Sequence, residues 1–218
     1  MSVETTWSPL MPLQNRVTPT GEIIADPARG LFTGNRGGKI HDPASKRLLP
    51  KRRWASKAWI CCVLRFRGRR REVMGPGYTN LFFLDEVTAL AAGHRPCYEC
   101  RRADANGFAE AWRQAFGLAE RPRAGDMDLI LHRERTMAAT PEPGSDIAAL
   151  PDGAVIGDAA DLWAVRGSRL LSWAPDGYHR WKARPSSGTF PVITPAAVLA
   201  VLANKYRPVW HESAGDQC

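Results

Sequence analysis

His94-Arg-Pro-Cys97-Tyr-Glu-Cys100-Arg-Arg102 places two thiols three positions apart, just after a short helical pattern that stops at Gly93. Two thiolates at this spacing take one ion when the backbone turns between them, and zinc is the usual occupant, completed by another Cys or His pair. A redox pair of the same spacing follows a strand in a βαβ unit, which is not the context here. Zn2+ is therefore the expected cofactor, with inert thiols as the bland alternative. The stretch predicts an α+β chain whose N-terminal unit is stabilised by zinc.

Further ligands must come from elsewhere in the chain. Lys57 to Met74 reads as a basic β-hairpin turning at Gly68, in which Ile60, Cys62, Leu64 and Phe66 share one apolar face. Trp59, Cys61, Val63, Arg65 and Arg67 share the other. Adjacent cysteines on a strand point oppositely, so one of Cys61 and Cys62 reaches a given ion. The alternation favours an inward-pointing Cys62 as the third ligand. His41, presented after the Gly37-Gly38 turn, is the favoured fourth, with His94 and Cys61 as alternatives.

Asn80 to Arg102 (Asn-Leu-Phe-Phe-Leu-Asp-Glu-Val-Thr-Ala-Leu-Ala-Ala-Gly-His-Arg-Pro-Cys-Tyr-Glu-Cys-Arg-Arg) resembles the second half of the Ada-type zinc-binding domain. In that family an Asn-x-x-Phe-Phe stretch leads into a helix that ends in Ala-Gly-x-Arg-Pro-Cys-x-x-Cys-Arg. The resemblance implies that Cys97 and Cys100 bind structural zinc, that the helix from Leu84 packs over the site, and that the fold is associated with DNA. Where the family carries an upstream CxxxC, one cysteine of which accepts a methyl group, this chain has Cys61 and Cys62 side by side.

Charge points the same way. The net charge is +8, yet Arg36 to Arg71 holds thirteen Lys and Arg against one acid, Asp42. The rest of the chain holds seventeen basic and twenty-one acidic groups. A basic segment interleaved with Trp54, Trp59 and Phe66 is the footprint of a polyanion binder. Lys51, Arg52, Arg53, Arg65, Arg67, Arg69, Arg70 and Arg71 are the expected phosphate contacts. The expected function is DNA binding linked to repair or nucleic-acid processing. Two other classes stay open: a metal-dependent enzyme and a protein-interaction module with a basic face. A nuclease would use His41-Asp42. A deaminase would use His132-Arg-Glu134, although that motif lies downstream of the thiols rather than upstream.

The remaining chain is read as follows. Residues 1–29 form an extended lead-in, 30–138 the zinc-binding basic unit and 148–212 a small α+β module. Gly34 to Gly38 reads as a turn cluster. Leu84 to Ala92 and Cys97 to Phe116 read as helices, Asp126 to Arg135 as a strand, and Thr140 to Ser145 as a linker. Strands follow at 154–156, 162–165, 169–173 and 191–194, then a helix at 196–204 opened by Pro195. Trp173, Tyr178 and Trp181 are read as pinning a loop, with base stacking beside Arg180 and Lys182 as the alternative. Five cysteines form a poor disulfide framework, and the start lacks a basic, apolar leader. A reducing cytoplasm is therefore expected. No run of eighteen apolar residues exists, so no membrane contact is expected.

Overall fold

A computed structural model of the chain describes residues 11–68, 72–137, 145–158 and 160–215. Its first part is a six-stranded mixed sheet. The strands are β1 (Gln14–Val17), β2 (Ile23–Ala25), β3 (Phe32–Arg36), β4 (Trp59–Val63), β5 (Leu81–Phe83) and β6 (Arg95–Pro96). A short helix, α1 (Glu86–Ala91), separates β5 from β6. The lateral order is β2-β1-β5-β3-β4-β6. β1 with β5 and β4 with β6 run parallel, and the other pairs antiparallel. β3 can lie between β4 and β5 because position 34 carries no side chain. A Cβ on Gly34 would sit 2.1 Å from the Ile60 carbonyl oxygen and 2.8 Å from the Phe83 ring.

Two helices follow, α2 (Arg102–Ala115) and α3 (Ala124–Met137). The C-terminal part is a meander of β8 (Val155–Asp158), β9 (Asp161–Arg166), β10 (Arg169–Ala174) and β11 (Gly177–Ala183). It is flanked by the two-residue pair β7 (Ser145–Asp146) and β12 (Thr189–Phe190) and by helix α4 (Ala196–Ala203).

Several expectations are corrected. Among the described residues the basic hairpin is not seen: Trp59–Val63 pairs with β3 and β6, and 72–74 adds no returning strand. Pairing with distant strands covers more of β4 than a local hairpin would. Its faces are also inverted. Trp59 and Cys61 point into the core, whereas Ile60 and Cys62 are half-buried on the outer face. Gly34 to Arg36 are strand, and the turn begins at Gly37 (φ +76°). The lead-in contains β1 and β2. The helix expected from Cys97 starts at Arg102, because Cys97 to Cys100 form a turn. The stretch 126–135 is helical: Met127 and Leu131 bury one turn apart, while Leu129 and Ile130 stay exposed. The expected strand at 191–194 reduces to one bridge, Ile156 with Val192. Trp173 and Tyr178 sit on the β10–β11 hairpin rather than in a long loop.

Two apolar clusters cross the expected boundary between the units. α2 and α3 pack Phe108, Trp112, Met127 and Leu131 against Val198, Val201 and Leu202 of α4. Leu84, Val87 and Ala91 pack against Val155, Ala164, Leu171 and Tyr178. Of the expected linker, 140–144 lie outside the described residues. No described helix is long and apolar enough to cross a membrane.

The fully buried α1 is fixed by two carboxylates. Asp85 caps it, accepting from the Thr88 amide (2.9 Å) and hydroxyl (2.8 Å), the Tyr178 hydroxyl (2.8 Å) and the His211 amide (3.2 Å). Glu86 accepts from Arg101 (2.8 Å), the Tyr206 hydroxyl (2.7 Å) and the Val209 amide (3.0 Å).

Candidate metal centre

Parallel pairing of β4 with β6 sets Cys61 beside Pro96, and the Cys97 amide donates to the Cys61 carbonyl at 3.0 Å. The chain then turns, and the Arg101 amide closes the turn on the Cys97 carbonyl at 2.9 Å. Arg101 is pinned by its ion pair with buried Glu86, so the turn is held from behind. Because Cys62 faces outward, it reaches the thiols of this turn. The Sγ atoms of Cys62, Cys97 and Cys100 all lie within 4.8 Å of one another.

Three thiols this close cannot keep independent protons. Hydrogen bonds from Cys100 and Cys62 pull the Cys97 thiol down to about 2. Donation to Cys100 and Cys97 pushes the Cys62 thiol far up. Together the three sulfurs form a donor set that could hold a soft cation in place of their protons.

The other candidates are occupied elsewhere. His41 is buried, with Nδ1 at 2.6 Å from the Thr79 hydroxyl and Nε2 at 3.0 Å from the Gly75 carbonyl, so both ring nitrogens serve the loop. It stands outside the sulfur group. Cys61 is wholly buried, accepts from Arg101 at 3.4 Å, and has its thiol pushed up by burial. His94 is wholly buried against Trp59 and Phe83, and its Nε2 accepts from Arg36 at 3.4 Å.

The two catalytic pairs weighed from sequence have structural partners. Asp42 accepts from the Ser45 amide and hydroxyl in an exposed turn. Glu134 accepts from the Ala197 amide at the start of α4, and His132 packs edge-on against Trp54. Neither residue of the latter pair joins the sulfurs.

The basic run is partly visible. Lys51, Arg52, Arg53, Arg65 and Arg67 are exposed, and Arg67 stacks on Phe66. Arg69, Arg70 and Arg71 lie outside the described residues. A feature that sequence reading missed lies at the start of β4. The Trp59 indole lies between the guanidinium groups of Arg36 (3.9 Å) and Arg135 (4.0 Å). Burial, with Arg135 and Arg53 nearby, lowers Arg36 to about 9. An arginine at an inward position of a strand, in step with Phe32 and Gly34, was the available signal. In the C-terminal hairpin, Trp173 donates to the Thr88 hydroxyl and Tyr178 is buried, while Trp181 is exposed beneath Arg169.

No protein-family model, no curated protein and no solved structure matches the chain.

Proposed function

We propose that this chain is a zinc-binding protein that engages nucleic acid, DNA foremost, in repair or nucleic-acid processing. The observation that carries the reading is the convergence of three sulfurs on a strand flanked at both ends by exposed basic residues. Lys51, Arg52 and Arg53 precede β4, and Arg65 and Arg67 follow it. Thiolate sulfur from Cys62, Cys97 and Cys100 suits Zn2+. When bound, the ion would neutralise the sulfurs and fix β4 to the 97–100 turn. Those residues would then hold the basic segments in a set geometry, and the side chains would release counterions from phosphates.

The role proposed for zinc is structural. His41 and Glu134, the groups a hydrolytic reading would use beside a metal, are already committed to loop and helix-start contacts. The resemblance of residues 80–102 to the Ada-type domain supports the same reading.

The test has two parts. Elemental analysis of purified protein should find about one zinc per chain, lost in Cys97→Ser. Filter binding should retain labelled DNA, with affinity falling steeply as salt rises. Protein without metal, or retention of an acidic polypeptide in preference to DNA, would overturn the proposal.

A further inference from the structure

The outer face of the six-stranded sheet carries more than Cys62. Directly opposed residues share a face, and a single row runs Cys62, Thr33, Phe82, Arg16 across β4, β3, β5 and β1. Three strand spacings separate Cys62 from Arg16, about 14 Å.

The far end of that row opens into a groove of about 330 Å³ lined by Leu13, Asn15, Arg16, Arg29, Val73 and Phe82. Phe82 is its floor. The guanidinium groups of Arg16 and Arg29 stand over that ring, at 4.9 and 5.2 Å from its centroid. β1 is bulged here: Gln14 pairs with Ala25 and Arg16 with Ile24, leaving Asn15 as the extra residue. Bulges re-aim side chains and occur next to functional sites. Asn15 is 1% exposed, and its side chain and that of Arg16 are hydrogen-bonded to each other. Asn15 Nδ2 and Arg16 Nε are nonetheless buried with no partner. Orphaned buried donors are costly in a folded protein unless something supplies the acceptor. Burial and then Arg29 lower the Arg16 guanidinium from its usual range, and Asp26 is the acid that opposes this.

We propose that this groove binds a backbone phosphate of the nucleic-acid strand, with Arg16 and Arg29 as the charged clamp and Asn15 holding the Arg16 guanidinium in place. Paired guanidinium forks match phosphate geometry. The apolar floor keeps competing water from one side. The inference rests on the nucleic-acid reading above, and it extends the contact surface from the exposed loop arginines across the sheet face that carries the thiols.

The test is fluorescence anisotropy of a labelled oligonucleotide, single-stranded and duplex, over a salt series with zinc-loaded protein. R16Q/R29Q should bind at least about tenfold more weakly and lower the salt slope by about 1, for the one phosphate contact removed. Its metal content and melting temperature should match the wild type, and R16K/R29K should restore the slope. Arg29 is exposed, so R29Q alone serves if the double variant folds poorly, with a smaller change in slope expected. Wild-type affinity and slope in R16Q/R29Q, with the wild type binding normally, would overturn the groove and leave the nucleic-acid reading standing. Absence of any oligonucleotide binding by the wild type would overturn both. A free mononucleotide that raises the melting temperature of the wild type but not of R16Q/R29Q, with strand binding equal in the two, would assign the groove to free nucleotides and overturn the strand assignment.

Discussion

Two polar clusters lie back to back across Arg101, and they differ in completeness. On one side, Asp85 and Glu86 are wholly buried, and seven hydrogen bonds satisfy them. On the other, Cys62, Cys97 and Cys100 share protons among themselves, with the Glu99 and Cys100 amides turned to the Cys97 sulfur and the Val63 amide to that of Cys100. A buried polar cluster whose every acceptor is filled has no capacity left for a ligand, and its contribution is to fix the fold. Three sulfurs this close are a group that could hold a metal ion. The carboxylates are wholly buried, whereas Cys62 and Cys100 are half-buried.

The comparison breaks most visibly at Glu86. Glu86→Gln leaves the buried Arg101 guanidinium with half-exposed Asp104 as its remaining counter-ion and should cost about 3 kcal/mol of unfolding free energy in denaturant titration. A loss below about 1 kcal/mol would mean that the carboxylate cluster is not the structural half of the pair. The thiol cluster should respond to its ligand instead. Zinc at a hundredfold excess over its dissociation constant should stabilise the wild type by about 3 kcal/mol, a gain abolished by chelator and absent in Cys97→Ser. Glu86→Gln leaves all three sulfurs in place and should keep most of that zinc-dependent increment, losing only what the Arg101–Glu86 pair adds by bracing the turn. Tyr178→Phe removes one bond to the buried Asp85 carboxylate and should cost about 2 kcal/mol, independent of zinc.

The smallest effect is a pH slope. Burial, and then the charges of Arg36 and Arg135, hold His94 well below its ordinary value of 6.5. The unfolded chain therefore takes up a proton below about pH 6.5 that the folded chain refuses. Stability from His94 is present above that pH and is lost as pH falls towards the depressed folded value, by at most about 1.4 kcal/mol per pH unit. In His94→Gln, measured beside the wild type in chelator, that slope should vanish. An unchanged slope would place the titration elsewhere.

Local pattern carried some of this into the sequence and missed the rest. The α1 helix, the Asp85 start and the strands of the meander follow from periodicity and turn residues, which act over a few positions. The Cys97–Cys100 turn is equally local. Cys62 was selected on an inward-facing alternation, whereas the structure turns it outward and buries Cys61 instead. The apolar signal was ambiguous because both faces of β4 are partly covered, one by the core and the other by the thiol turn. In α3, exposed Leu129 and Ile130 beside buried Met127 and Leu131 gave an apolar run, interrupted by Asp128, with no clear period. The contacts of Asp85 with Tyr178 and of Glu86 with Tyr206 span too much chain for any local rule. The Trp59 stack likewise needs Arg36 and Arg135 from separate elements.

That long span has a consequence for biosynthesis. Tyr206 follows Glu86 by 120 residues. At about 5–20 residues per second, a ribosome adds the tyrosine some ten seconds after the glutamate. Throughout that interval the nascent α1 has carboxylates facing positions not yet occupied, so its burial cannot be completed. Cys97 and Cys100 emerge well inside this window, already close enough in the chain to capture an ion together. A metal ion held by these thiols could thus bind before the tail closes over α1.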